Sequence, residues 1–126
     1  MDLGRIKEIF NLVDYGLQYK INRSRIAVKG SKAGSLVRGV EVVRVDGQDW
    51  QVKDLVYLYY HGYLSDYQLI NADGDPRNNG ILNLLEEGET LVRLNDGRRY
   101  DPVTKKYYKR VYEDFSLKHH YEEVDD

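Results

Sequence analysis

The dipeptide Asp46-Gly47 is the feature that most constrains the fold of this chain of 126 residues. It separates two short β-type runs, Val40 to Val45 and Gln48 to Val52. Type I′ hairpin turns favour this dipeptide because both of their central residues need a positive φ. From Lys53 to His61 the apolar spacing changes to that of a helix, and Gly62 stands where a glycine would end it. The sequence therefore predicts a β-hairpin followed directly by a helix.

The regions on either side of this unit predict further short elements. Apolar residues recur at three- and four-residue spacing over residues 3–13, which predicts an N-terminal helix. The other predicted elements, in chain order, are a strand over 17–21, a strand over 67–70, a loop over 71–79, a helical turn over 80–85, and the strands of a second hairpin over 90–94 and 107–112. The expected fold class is α+β.

Several classes of protein are disfavoured by composition. The chain has no cysteine, so it has no disulfide framework, no thiolate zinc site and no cysteine nucleophile. The first residues lack the pattern of a secretory signal, and no apolar stretch is long enough to span a membrane. We therefore expect a cytoplasmic protein that makes no use of a membrane. Nothing in the sequence indicates an oligomeric state.

The net charge of −2 conceals an uneven distribution. Four of the last five residues, Glu122 to Asp126, are acidic. Between residues 20 and 44, Glu41 is the only acid among seven cations: Lys20, Arg23, Arg25, Lys29, Lys32, Arg38 and Arg44. Cations in a glycine-containing loop can follow a phosphate backbone and release counterions. A solvated loop without a ligand is an equally good interpretation of this segment taken alone.

The segment from Val52 to Leu84 resembles the core of the phage and homing HNH endonuclease family. Without gaps, Leu55-Val56-Tyr57 matches the family's helix, and Gly62 matches the glycine after it. Asp73-Gly74-Asp75 matches its Asn/Asp-Gly-Asp turn, and Asn78-Asn79 with Ile81, Asn83 and Leu84 matches its closing segment. Gly34-Ser35-Leu36 also resembles an Ala-Gly-Ser segment that precedes the hairpin in that family.

The resemblance implies a small ββα-metal core that cuts DNA. In this family a strand histidine removes a proton from water, and a neighbouring aspartate and a later asparagine hold one divalent metal ion. The matching positions here are Asn71 for the histidine, Ile70 for the aspartate and Asn83 for the asparagine. The amide of Asn71 cannot accept a proton near neutral pH, and Ile70 has no lone pair to offer a metal. The helix histidine and the arginine after it are replaced by Lys53 and Asp54.

Other residues are candidates for the missing chemistry. Asn71 and Asn79 occupy the positions where catalytic groups are expected, and Asn83, Asp73 and Asp75 are the candidate metal ligands. Mg²⁺ or another divalent ion is the expected cofactor if catalysis persists, and none is expected if it is lost. His61, His119 or His120 would have to supply a base. For His61 a packing or capping role is the more common alternative, and the two later histidines are expected to lie in a tail.

The chain also contains twelve tyrosines, and Tyr57, Tyr59, Tyr60, Tyr63 and Tyr67 cluster around the core motif. Tyrosine suits both base stacking and protein interfaces, and small cores also use it. For Tyr57, in the family's tryptophan position, core packing is the favoured interpretation.

We therefore expect an HNH-like domain over residues 1–86, with an N-terminal helix and a basic loop, a C-terminal hairpin extension over 87–121 and an acidic tail over 122–126. The expected function is DNA binding through the seven cations above and Arg77, with cleavage lost or weakened. Two alternatives stay open: a non-catalytic module that binds or inhibits a host protein, and an active metal-dependent DNA endonuclease.

Overall fold

The computed structural model describes residues 1–112 and 119–124 of the chain. In chain order its elements are α1 (Leu3–Ile9), β1 (Phe10–Val13), β2 (Gly16–Tyr19), β3 (Ser35–Val37), β4 (Val40–Val45), β5 (Gln48–Gln51), α2 (Val52–His61), β6 (Leu69–Asn71), a 3₁₀ turn (Ile81–Asn83), β7 (Leu84–Glu86), β8 (Val92–Arg93), β9 (Arg99–Asp101), β10 (Lys106–Tyr112) and β11 (His119–Val124). All strand pairs are antiparallel and form the sheets β1-β2, β3-β4-β5, β6-β7 and β8-β9-β10-β11. The α+β class is confirmed.

The central hairpin and helix match the sequence prediction. Asp46 and Gly47 have φ values of 50° and 81°, as a type I′ turn requires, and β4 pairs with β5 on either side of them. α2 follows β5 without a linker and ends at Gly62, which has φ 88° and donates its backbone N–H to the Leu58 carbonyl. The helix buries Leu55 and Val56 completely. It is the central element against which the other elements pack.

The N-terminal helix is shorter than predicted. Residues 3–9 are helical, but residues 10–13 form β1, in which Phe10 pairs with Tyr19 and Val13 pairs with Gly16. The apolar spacing of this segment fits a helix and a strand equally well. Pairing with β2 satisfies the backbone of β1, and Phe10 is fully buried as a strand residue.

The segments on either side of residue 84 also differ from the prediction. A helical turn was expected over residues 80–85, but only Ile81–Asn83 are helical, in a 3₁₀ turn, and Leu84–Glu86 pair with β6. The strands predicted over 90–94 and 107–112 do not pair with each other, because β9 lies between β8 and β10.

The expected acidic tail is partly structured. Glu122 and Glu123 belong to β11, where they pair with Lys109 and Tyr108 of β10. His119 and His120 therefore lie on a strand and not in a tail. Residues 125 and 126 of the predicted tail, and residues 113–118 of the predicted extension, lie outside the described residues.

The hydrophobic core is formed by both helices and the first three sheets. Ile6, Ile9 and Leu17 are fully buried, and Val43 and Val45 face the same core from β4. Val92 and Leu94 are also buried, so the beginning of the C-terminal sheet packs on the rest of the molecule. None of the helices in residues 1–112 and 119–124 has the length and apolar character needed to cross a membrane.

Candidate nucleic-acid interface

The loop between β6 and β7 carries the asparagine-rich motif, and we call residues 71–83 the asparagine loop. Its two ends are joined, because Asn71 pairs with Leu84 and the Ala72 N–H donates to the Asn83 carbonyl at 2.8 Å. Inside the loop, the Gly74 N–H donates to the Asn71 carbonyl and the Asn78 N–H donates to the Asp75 carbonyl. The motif therefore forms a closed loop whose backbone is largely hydrogen-bonded to itself.

Asn79 lies at the centre of this loop and is 1% exposed. Its side-chain amide donates to Glu41 Oε1 at 3.0 Å and to the Pro76 carbonyl at 2.9 Å. Its Oδ1 accepts a hydrogen bond from Asn71 Nδ2 at 2.7 Å. The Asn79 backbone N–H donates to the Tyr15 carbonyl, next to β2. Asn79, predicted as a catalytic position, holds the loop against β4 and β2.

Glu41 is the buried acid of this network and was not predicted from the sequence. It is 3% exposed, and its second oxygen accepts a hydrogen bond from Lys32 Nζ at 2.5 Å. The sequence did contain a signal for its burial, since side chains alternate along a strand and Glu41 shares a phase with the buried Val43 and Val45. A buried carboxylate needs both of its partners, because it has no water to solvate it.

Asp73 and Asn83 form the outer part of the loop. The Asp73 carboxylate accepts hydrogen bonds from Asn78 Nδ2, the Asp75 backbone N–H and Asn83 Nδ2, all within 2.9 Å. The hydrogen bond from Asn78, followed by those from the Asp75 N–H and Asn83, holds the pKa of Asp73 below its usual value. Asn83 Oδ1 in turn accepts the backbone N–H of Asp73 at 3.2 Å. Asp73 and Asn83, two of the three predicted metal ligands, therefore stabilise the structure of the loop.

The arrangement does not fit the single-metal site that the resemblance implies. The family's aspartate position is Ile70, which is 45% exposed and offers no oxygen. The oxygens of Asp73, one oxygen of Asp75 and the amide oxygen of Asn83 accept hydrogen bonds from within the loop. In residues 1–112 and 119–124, no group of three or more histidine, cysteine, aspartate or glutamate side chains is arranged to hold a metal ion.

The three histidines lie on elements other than the asparagine loop. His61 is at the end of α2, where its ring packs against those of Tyr57, Tyr60 and Tyr63. Burial, followed by the nearby charge of Arg93, lowers the pKa of His61. His119 and His120 are on β11, and His120 Nε2 lies 3.1 Å from Glu122 Oε1.

A groove of about 340 Å³ runs beside the asparagine loop, and Gly39, Lys53, Ile70, Asn71 and Pro76 are among its lining residues. Lys53 Nζ lies 3.5 Å from Asn71 Oδ1, at the limit of a hydrogen bond. Arg38, with φ 52°, precedes Gly39 in the tight turn between β3 and β4, and Arg77 follows Pro76. Cationic residues therefore lie in the groove and next to it. Lys53 was not among the predicted DNA contacts, although the resemblance places it at the position of a helix histidine.

The basic loop, which we define as residues 20–34, is an ordered structure. The Lys29 N–H donates to Asn22 Oδ1 at 2.8 Å, and the Ala27 N–H donates to Ser24 Oγ at 3.0 Å. The returning arm follows β2, where the Tyr19 N–H donates to the Ser31 carbonyl and the Ala33 N–H donates to the Leu17 carbonyl. Short polar side chains thus satisfy the backbone of the loop, while Arg23, Arg25 and Lys29 are exposed.

The eight predicted DNA-contacting cations fall into two groups. Three are engaged within the protein: Lys32 by Glu41, Arg44 by Asp49 and the Gly47 carbonyl, and Lys20 by the Lys7 carbonyl. In the described ranges, no ion pair involves the other five, which are all exposed: Arg23, Arg25, Lys29, Arg38 and Arg77. The five lie on the basic loop, at the β3–β4 turn and on the asparagine loop.

The tyrosines near α2 include both buried and exposed side chains. Tyr57 is 3% exposed, as its predicted core role requires, and its hydroxyl lies between Glu86 and Arg93. Burial, followed by the hydrogen bond with Glu86, raises the pKa of Tyr57 to about 12. Tyr63 and Tyr67, by contrast, are 50% and 61% exposed.

No protein-family model matches this chain, and neither a curated protein nor a solved structure matches it.

Proposed function

We propose that this protein binds duplex DNA through the basic loop and the groove beside the asparagine loop, on an HNH-like core that does not cleave DNA. The observation that carries the proposal is the group of five exposed cations that form no ion pair within residues 1–112 and 119–124: Arg23, Arg25, Lys29, Arg38 and Arg77. Cations of this kind can neutralise phosphates and release counterions, which is the main source of affinity for DNA without sequence specificity.

The order of elements supports an HNH-like core. A hairpin, α2, the strand β6, a polar loop and the strand β7 follow one another, with Asn71 at the end of β6 and Asn83 directly before β7. These are the positions that the resemblance assigns to the family's histidine and asparagine. In the same arrangement, Asn71 Nδ2 donates to the Asn78 carbonyl and to Asn79 Oδ1. The lone pair of an amide nitrogen is delocalised into the carbonyl group, so Asn71 Nδ2, which already donates two hydrogen bonds, cannot act as a general base.

Fluorescence anisotropy with a labelled duplex tests the DNA-binding part. If five phosphates are neutralised, log K should fall against log salt with a slope of roughly −4.5, from about −0.9 for each phosphate. Replacing Arg23, Arg25 and Lys29 together by glutamine should reduce the slope to roughly −2. Arg44→Gln is the matched control, because Asp49 and Gly47 hold that guanidinium, and it should leave the slope nearly unchanged. Absence of duplex binding at low salt would refute the proposal.

A plasmid-nicking assay tests the proposal that the protein does not cleave DNA. With Mg²⁺ or Mn²⁺ present, the purified protein should leave supercoiled plasmid intact over hours. Nicking that disappears in an Asp75→Ala, Asn83→Ala double variant would instead establish the active-endonuclease alternative. Nicking that persists in this variant would point to a contaminating nuclease, and repeating the assay on a further purified sample would resolve it.

A protein partner is the second candidate, and the apolar surface of the same region favours it. Ile26 is 91% exposed at the tip of the basic loop, and Val28, Leu36 and Val37 are each at least 40% exposed. Exposed aliphatic side chains rimmed by polar residues are typical of interaction sites. Affinity purification from host lysate, with and without nuclease treatment, tests this candidate. A partner that is retained after nuclease treatment and lost in an Ile26→Ser, Val28→Ser variant would support it.

A further inference from the structure

A second cationic surface lies at the other end of α2, and its arginines come after the segment that carries the resemblance. A cleft of about 510 Å³ separates the end of the helix from the C-terminal sheet, and its lining includes His61, Tyr63, Arg93, Arg99 and Arg110. The sheet is fixed to the helix here, because the Asn95 N–H donates to the Tyr60 hydroxyl at 3.1 Å and Leu94 is buried. The cleft is therefore a defined part of the fold.

Guanidinium groups dominate the charge of this cleft. Arg93 is bonded to the Tyr57 hydroxyl and lies 3.2 Å from Glu86 Oε1. Arg99 and Arg110 both approach the ring of Tyr121, at 6.0 Å and 5.9 Å from its centre. The hydrogen bond from Arg110 and further interactions with Arg99 lower the pKa of Tyr121, as expected where positive charge accumulates. The neighbouring Arg98 differs, since its Nε is bonded to Asp96 at 2.7 Å and its guanidinium lies over Tyr107.

Exposed tyrosine rings border the same guanidinium groups. A second cleft of about 390 Å³ shares Tyr63, Arg93 and Arg99 with the first and adds Tyr67. Tyr63 and Tyr67 are 50% and 61% exposed, and the Arg93 guanidinium lies 5.8 Å from the Tyr63 ring. Two acids, Asp66 and Glu86, also line this second cleft, and Glu86 is engaged by Tyr57 and Arg93. Exposed aromatic rings and guanidinium groups therefore line the same two clefts.

We propose that these two adjoining clefts bind an unpaired nucleic-acid strand, with Arg99 contacting a phosphate and the rings of Tyr63 and Tyr67 stacking on bases. Guanidinium forks match phosphate oxygens, and every base offers a face for stacking on an aromatic ring. An acidic peptide would use the guanidinium groups but leave both exposed rings without a flat partner. Duplex DNA keeps its bases stacked inside and cannot use the rings either. This site is distinct from the duplex-binding surface proposed above and can fail independently of it.

Anisotropy with a labelled oligo-dT strand tests the site. Tyr63→Ala should weaken binding about tenfold, and Tyr63→Phe, which keeps the ring, should bind like the parent. Arg99→Ala should lower the slope of log K against log salt by about 0.7. Arg98→Ala is the matched control, because Asp96 and Tyr107 hold that side chain away from the clefts, and it should leave both affinity and slope unchanged.

Competition and cross-tests separate this site from its rivals. Parent-like affinity in both Tyr63→Ala and Arg99→Ala would overturn the proposal, as would displacement of oligo-dT by polyglutamate at equal charge concentration. Displacement by an equal nucleotide concentration of dTMP would also overturn it, because the site would then take a free nucleotide. If circular dichroism shows Tyr63→Ala to be unfolded, the oligo-dT affinities of Tyr67→Ala and Arg99→Ala test the proposal instead. Parent-like affinity in both would then overturn it.

The basic-loop triple variant distinguishes the two proposals. It should lose duplex affinity and retain affinity for oligo-dT. Loss of both affinities in that variant would place strand binding on the basic loop and overturn the present site. Failure of the parent protein to bind duplex, with oligo-dT binding intact and sensitive to Tyr63→Ala, would refute the proposed function and leave this site standing.

Discussion

The asparagine loop and the basic loop are both polar, irregular segments, but they use their polar groups in opposite ways. In the asparagine loop the side chains of Asn71, Asn79 and Asp73 bond to one another and to the backbone. In the basic loop, Asn22 and Ser24 satisfy the backbone, while the side chains of Arg25 and Lys29 have no hydrogen-bond or ion-pair partner in the described part of the chain. The segment that resembles a nuclease site holds the fold together, and the charge that can meet a ligand lies beside it.

The two loops are nevertheless connected through one buried group. Glu41 accepts hydrogen bonds from Asn79 on one side and from Lys32 on the other. Lys32 belongs to the basic loop, but its side chain bonds within the protein as those of the asparagine loop do. Substitutions in the two loops test which of their polar side chains stabilise the fold and which are available to a ligand.

Gly80→Ala should destabilise the protein most. A Cβ at Gly80 would lie 1.7 Å from the carbonyl oxygen of Asp14, although the φ of −62° suits any residue. The backbone next to β2 would have to move, and we expect a loss of about 3–4 kcal/mol in the free energy of unfolding, measured by urea denaturation.

Gly74→Ala is the matched control in the same loop. It has open space around its Cβ but a φ of 77°, so only backbone strain of about 1 kcal/mol is expected. Equal losses in the two variants would show that the asparagine loop does not pack closely on the β1–β2 turn.

Asn79→Ala should cost about 3 kcal/mol, because it removes the amide that bonds to the buried Glu41 and to the Pro76 carbonyl. It also removes the acceptor of one of the two hydrogen bonds that Asn71 Nδ2 donates. Asn78→Ala removes an exposed hydrogen bond to Asp73 and should cost about 0.5–1 kcal/mol. Urea denaturation gives both values. Duplex affinity per folded molecule should be the same in the two variants. A loss of affinity specific to Asn79→Ala would mean that this amide contacts the ligand.

Lys32→Met tests whether one cation of the basic loop is structural. Its side chain is 33% exposed and its partner Glu41 is buried, so its removal should lower the free energy of unfolding by about 2 kcal/mol. Lys29→Met is the matched substitution nearby, and it should leave stability unchanged while weakening duplex binding and its salt dependence. If the two variants exchanged these effects, the division between engaged and ligand-facing cations would be wrong.

The part of the fold that sequence could predict is the part specified by local chemistry. A type I′ turn favours Asp46-Gly47, and a left-handed helix end favours a glycine such as Gly62. The hairpin and α2 were therefore predicted almost to the residue. Phe10 and Val13 have spacing compatible with two structures, and pairing with β2 decided between them. The same holds for Leu84, which pairs with Asn71 across the loop.

For the candidate site, the sequence predicted the location but not the contacts of its side chains. The spacing of Asn71, Asn79 and Asn83 located the loop, but sequence could not tell whether their amides would face a ligand or one another. That depends on Glu41, which comes from a strand 38 residues away from Asn79 in sequence. The cleft around Arg99 and Tyr63 depends on how the C-terminal sheet docks on α2, and no local pattern encodes that contact.

Of the groups considered, the Asp73 carboxylate should contribute least to the free energy of unfolding. Its pKa is lowered in the folded protein, chiefly by the hydrogen bond from Asn78. Its stabilising contribution is therefore present above the unfolded pKa of about 4 and is lost as pH falls through the lower, folded value. Asp73 is exposed and screened by solvent, so we expect only a few tenths of a kcal/mol between Asp73→Asn and the parent at neutral pH, with the difference disappearing as pH falls through the folded pKa. Urea denaturation at several pH values measures this, with Asp75→Asn as a control for net charge. A difference that grew on acidification would show that the three hydrogen bonds do not favour the ionised carboxylate.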